Sequence, residues 1–122
     1  MKNRTLKQIT KDIDDFCKER DWNHSSPNSL IAAIVIELGE LAEHYQWQKE
    51  FKKFTKKEEK EVGYEYVDVL FYLLRLASVS GIDIEKYFYD KLPKLRKKFP
   101  KGKDALKANK EYRKAGRNKI YD

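Results

Sequence analysis

A chain of 122 residues has room for one domain with a modest core, which excludes two independent cores. It is 39% charged and 40% hydrophobic with a net charge of +7, and no apolar run nears the roughly 20 residues needed to cross a bilayer. The lone Cys17 excludes an intrachain disulfide or a Cys-based zinc site, and MKNRTLKQITKDIDDF lacks the apolar stretch of a signal peptide, so a cytoplasmic protein is expected.

Apolar residues recur three and four apart, which predicts an all-α, four-helix-bundle-like domain over residues 1–100 and a basic tail over 101–122. A first helix is expected over 5–20, with Leu6, Ile9, Ile13, Phe16 and Cys17 on one face. DWNHSSPN at 21–28 is a loop of turn and cap formers, with Asn28 or Ser29 capping a second helix over 29–49. On that helix Ile31, Ile34, Val35, Leu38, Leu41 and Tyr45 form an apolar stripe, the expected packing face.

The link KEFKKFT leads to a third helix over 57–80, with the stripe Val62, Tyr66, Val69, Leu70, Leu73 and Ala77 and with Gly81 as left-handed terminator. Asp83 caps a fourth helix, which Pro93 is expected to kink or end. Residues 91–122 hold 13 Lys/Arg against 3 Asp/Glu, whereas the other 90 residues hold 14 against 17. The positive excess therefore belongs to the C-terminal quarter, whose end is too polar to build a core and is expected to be a frayed helix or an arm.

Acids line one edge of each central stripe. Glu37, Glu40 and His44 follow Ala33 on the second helix; Glu61, Glu65, Asp68 and Tyr72 follow one another on the third. Antiparallel packing of these helices brings four to five carboxylates together. Such a group repels itself unless a cation sits within it. With oxygen donors and few imidazoles, the group suits Mg²⁺, with Mn²⁺ as substitute, better than zinc or iron. A single Glu pair three apart is more often a solvated face; two matching pairs beside apolar stripes favour a site.

Glu37-Leu-Gly-Glu40 and Glu65-Tyr-Val-Asp68, with 24 residues between them, resemble the signature of the MazG-like all-α NTP pyrophosphatase superfamily. Trp22, His24 and Ser26-Pro27, then Trp47, DVLFYLLRLA at 68–77 and KLPKLRKKFP at 91–100 extend the resemblance to its dCTP-pyrophosphatase-like branch, over about residues 16–100. The resemblance implies cleavage of a (d)NTP to (d)NMP and pyrophosphate, in nucleotide-pool house-cleaning, with Glu37, Glu40, Glu65 and Asp68 as metal ligands. Glu61 is a candidate base or further ligand. Lys91, Lys94 and Arg96 occupy the family's phosphate-contacting stretch; Trp22 and Trp47 are candidates to stack on a base, His24 to hydrogen-bond base or ribose, and Tyr72 to orient a carboxylate. Each has an ordinary structural alternative, as solvated basic turn, core aromatic or capping His. Leu95 stands where that branch tends to have Asn, which puts the nucleotide's identity in question.

Two other functions compete. A helical nucleic-acid-binding or regulatory module fits the basic tail with Tyr112 and Tyr121 but leaves the acids unused. A phosphoribosyl-ATP pyrophosphatase has the same chemistry on another substrate. Phe71, Leu74 and Leu76 lie off the third helix's stripe, more apolar surface than four helices cover, and a homodimer or homotetramer is expected.

Overall fold

The computed structural model describes residues 4–22, 26–48, 50–102 and 105–114. Its elements are all helices: α1 Leu6–Glu19, α2 Pro27–Glu43, α3 Lys56–Val79, α4 Ile84–Lys98 and α5 Ala105–Lys114, with no strand among the described residues. None of these helices is long and apolar enough to cross a membrane. The chain forms two compact units, Met1–Asp83 and Ile84–Asp122.

Local chemistry sets the helix ends. At the start of α1, the Gln8 amide donates to Thr5 Oγ1 at 3.2 Å while the Thr5 amide donates to Gln8 Oε1 at 2.7 Å, satisfying two amides that helix geometry leaves without partners. Thr55 and Glu58 repeat this box at the start of α3. Gly81 ends α3 as expected, at φ 72°, with the Ile82 amide donating back to the Ala77 carbonyl at 2.8 Å. At the end of α1 a similar turn uses Asp21 at φ 58°, and the Trp22 amide donates to the Cys17 carbonyl.

Three expected boundaries shift. Ser26, not Asn28 or Ser29, caps α2: its hydroxyl accepts from the Ser29 amide, and Pro27 takes the first helical position, where its missing amide proton costs nothing. That helix stops at Glu43 rather than 49, because the backbone tightens through Tyr45→Ala42 and Gln48→Tyr45 bonds as the Tyr45 ring packs against Phe51 and Phe54. Pro93 does not end α4, which continues to Lys98. The carbonyl deprived of a donor by Pro93 belongs to Tyr89, an exposed residue.

Within the first unit α3 is the hub, packed on α1 and most extensively on α2. Of the expected α1 face, Ile13 and Cys17 are buried, Leu6 and Ile9 are half-buried and Phe16 is exposed; on α3, Val62 and Leu74 are buried. Between these helices lies a charged staple: Arg75, 9% exposed, donates from Nη1 to Asp14 Oδ1 at 2.8 Å and from Nη2 to the Trp22 carbonyl, and Ser78 Oγ donates to Asp14 Oδ2.

The expected α2 packing face is corrected. Ile31, Val35 and Leu38 are 51%, 64% and 52% exposed, and Tyr66, Leu70 and Leu73 of the α3 stripe are exposed too. What α2 shields is the line Leu30, Ala33, Ile34, Glu37, Leu41 and His44. Because α2 is apolar around most of its circumference, periodicity alone leaves its rotation open. The second unit is cationic, and no residue of α4 is buried.

Candidate metal and nucleotide site

Glu37 near the middle of α2 meets Asp68, and His44 at its C-terminal cap meets Glu65, so partners step back along α3 as α2 advances and the helices run antiparallel; just past α2, Tyr45 meets Tyr66 through a 3.0 Å hydroxyl–hydroxyl contact. The line of α2 that carries Glu37 therefore faces the line of α3 that carries Glu65 and Asp68.

Ligand oxygens of Glu37, Glu65 and Asp68 all lie within 4.8 Å of one another. Glu37 and Glu65 are half-buried, and their Oε2 atoms are shielded from solvent with no hydrogen-bond partner. Burial pushes the Glu37 carboxyl above the usual carboxylate range, and Glu40, Asp68 and Glu65 push it further. Glu65 is raised in the same way, by burial first, then Glu40 and Asp68; His44 opposes the rise. Glu40, itself exposed, adds its negative charge to this group and helps raise both Glu37 and Glu65.

An unpartnered, shielded carboxylate oxygen costs stability, and here two belong to carboxylates that converge among further acids. A hard divalent cation removes both costs at once, and the all-oxygen donor set fits Mg²⁺ or Mn²⁺. The residues present therefore fit a metal.

The other expected site residues are distributed as follows. Glu61 is exposed, one turn before Glu65 and outside the converging trio. Tyr72 packs edge-on against Phe71, and its hydroxyl bonds none of the described acids. Trp22, 52% exposed, packs edge-on against Phe16, which in turn meets Phe71. Trp47, 83% exposed, lines a depression of about 610 Å³ with Gln48, Glu50, Lys52, Lys53 and Glu58. Phe71 and Glu58 are 13 residues apart on α3, roughly 20 Å along its axis, so one chain does not bring the two Trp rings together around a base. Lys91, Lys94 and Arg96 lie on α4 in the second unit. His24, Tyr121 and the side chain of Tyr112 fall outside the described residues. Asp14 and Ser78 had no sequence signal; Lys52 and Lys53 were visible only as a basic link.

Residues 3–114 match the model of the dUTPase family. dCTP pyrophosphatase 1 of Rattus norvegicus is 34% identical over 101 residues, covering 79% of this chain and 59% of that protein, and the Homo sapiens protein is 33% identical over the same shares. The chain thus spans about three fifths of the length of these relatives. A pyrophosphatase from Archaeoglobus fulgidus, known from its crystal structure, superposes with a TM-score of 0.61 at 29% identity, covering 83% of this chain and 97% of that one. The likeness extends over both acid-bearing helices and most of the remaining sequence, and the chain belongs to the MazG-like, all-α NTP pyrophosphatase superfamily.

Proposed function

We propose that this protein hydrolyses a nucleoside or deoxynucleoside triphosphate between its α and β phosphates, releasing the monophosphate and pyrophosphate, as a cytoplasmic house-cleaning enzyme. The observation that carries this reading is the convergence of Glu37, Glu65 and Asp68 from α2 and α3, with a shielded, unpartnered oxygen on each of Glu37 and Glu65. Glu37, Glu40, Glu65 and Asp68 would hold Mg²⁺, or Mn²⁺ in its place, which when bound would supply screening of the triphosphate charge and a more acidic water. The rest is done by the chain's own side chains. Half-buried carboxylates keep the site poor in competing water, and Glu61, one turn away on α3, accepts a proton from the attacking water or adds a ligand.

Trp47 offers an exposed ring for the base, with Lys52 and Lys53 in the same depression. Glu58 of that depression and Glu65 are two turns apart on α3, about 10 Å, a distance suited to a nucleotide whose base and phosphates occupy different places. Lys91, Lys94 and Arg96 supply phosphate contacts, Trp22 and His24 further nucleotide contacts, and Tyr72 a hydroxyl near the α3 acids. The relatives named dCTP pyrophosphatase 1 point to a deoxycytidine nucleotide, while Leu95 sets the preferred base apart for direct measurement.

The exposed Ile31, Val35 and Leu38 of α2 and Tyr66, Leu70 and Leu73 of α3 support a homodimer or homotetramer that covers them. Light scattering that shows a monomer at micromolar concentration removes this assembly.

The deciding experiment is pyrophosphate release across dNTPs, NTPs and phosphoribosyl-ATP with Mg²⁺ or Mn²⁺, repeated with Glu40→Ala and Asp68→Ala. Turnover of a triphosphate that both substitutions abolish supports the reading; no turnover, or unchanged turnover in both variants, ends it. The competing nucleic-acid reading draws on the basic residues of α5, Lys107, Lys110, Arg113 and Lys114. It requires that deleting residues 103–122 abolish retention of DNA or RNA, whereas pyrophosphate release survives that deletion on the reading proposed.

A further inference from the structure

Among the described residues, His44 is the basic side chain that meets the carboxylate group, and it does so at one carboxylate oxygen. Its Nε2 stands 3.9 Å from Glu65 Oε1, while Oε2 of the same carboxylate is shielded and without a partner. A carboxylate is symmetric, and rotation about its terminal bond exchanges the two oxygens over a broad, soft potential. An imidazole on one side biases that exchange: 3.9 Å is longer than a hydrogen bond but near enough for the ring to favour the orientation with Oε1 on its side.

The backbone that carries the ring is also well anchored. His44 caps the C-terminus of α2; its amide donates to the carbonyls of Leu41 and Ala42, and its carbonyl accepts from Gln48 Nε2 at 3.0 Å. Gln48 Oε1 in turn accepts from the Lys52 amide, so the turn after α2 is clasped to the link that follows. His44 lies one turn beyond Glu40 and two beyond Glu37 on the shielded line of α2, which aims it across the helix pair at Glu65.

We infer that His44 is a positioning residue that sets the orientation of the Glu65 carboxylate and thereby the affinity of the site for a divalent cation. The inference rests on the function proposed above and adds a role that acid spacing does not supply. His44 touches neither the phosphates nor the attacking water; it acts through Glu65. Removing it should therefore weaken metal binding and leave nucleotide binding at saturating metal intact.

The test uses the full chain and Mn²⁺ alone, with free Mn²⁺ followed by its electron paramagnetic resonance signal, for the wild type, His44→Ala and His44→Gln. Helical content and melting temperature are recorded for each. His44→Ala should bind Mn²⁺ about 10–100-fold more weakly, the range seen when a partner of a metal-ligating group is removed. His44→Gln, which keeps a polar side chain able to donate to Glu65, should recover most of the affinity, and KM for the triphosphate at saturating Mn²⁺ should stay within twofold in both variants. Affinity within twofold of wild type in His44→Ala, or no recovery in His44→Gln, overturns the inference while leaving the proposed activity in place. A wild type that neither binds Mn²⁺ nor releases pyrophosphate overturns both.

Discussion

Where α1 meets α3, the buried guanidinium of Arg75 donates to Asp14 and to the Trp22 carbonyl, and Asp14 in turn accepts from Ser78; where α2 meets α3, Glu37 and Glu65 face other acids and keep two shielded oxygens unpartnered. One contact brings opposite charges together and pairs the buried cation with an acid. The other gathers like charge and leaves acceptors empty. Charge of the first kind holds helices at a fixed separation, and its removal exposes a desolvated partner. Charge of the second kind works against the fold until a cation arrives. Burial alone does not separate the two cases; pairing does.

The comparison breaks most visibly if acids and staple respond alike. Asp68→Ala or Glu37→Ala should lower pyrophosphate release by roughly 10³-fold or more, because a lost ligand forfeits part of a metal contribution worth several kcal/mol. Thermal unfolding in chelator should show no loss of stability in Glu37→Gln, since the substitution removes like-charge repulsion. A Glu37→Gln protein that melts well below wild type in EDTA would place that acid with the structural charges.

Asp14→Ala should do the reverse. It leaves Arg75 desolvated without its acid and should cost about 3 kcal/mol in urea unfolding, with Mn²⁺ affinity per folded molecule unchanged. Ser78→Ala, which removes one hydrogen bond from the same network, should cost about 1 kcal/mol. If Asp14→Ala changed metal affinity and left stability alone, the division between the two contacts would fail.

The pH dependence sharpens the same contrast. Glu37 and Glu65 have folded-state pKa values raised above the ordinary carboxylate value by burial and neighbouring acids. In the metal-free protein, the folded state therefore holds protons that the unfolded state has released. Their contribution to stability is fully present below the ordinary carboxylate pKa and is lost as pH rises through the raised folded value. Urea unfolding in EDTA should show stability falling across that window. Saturating Mg²⁺ should flatten or reverse the slope, because the cation binds the ionised carboxylates and releases their protons. An identical slope with and without Mg²⁺ would separate these acids from any metal.

The smallest expected effect lies at the end of α1. Asp21 holds φ 58°, a conformation that glycine adopts without steric cost, and Asp21→Gly should raise stability by about 0.5 kcal/mol with activity unchanged.

Helix content, the Gly81 terminator and the spacings Glu37–Glu40 and Glu65–Asp68 were all legible in the sequence, because each depends on residues within about four positions of one another along a helix. The acid spacing also carried the family. The rotation of α2 was not legible: Ile31, Val35 and Leu38 and the line through Leu30 and Glu37 are both plausible packing faces on a helix so broadly apolar, and contact with α3 selected the line that carries the acid. Nor did any local pattern mark the Asp14–Arg75–Ser78 staple, whose hydrogen bonds join residues 61 and 64 positions apart. Sequence spacing determined which carboxylates share a helix face; only the tertiary structure decided which of them lose water, because desolvation depends on what the neighbouring helix places against them.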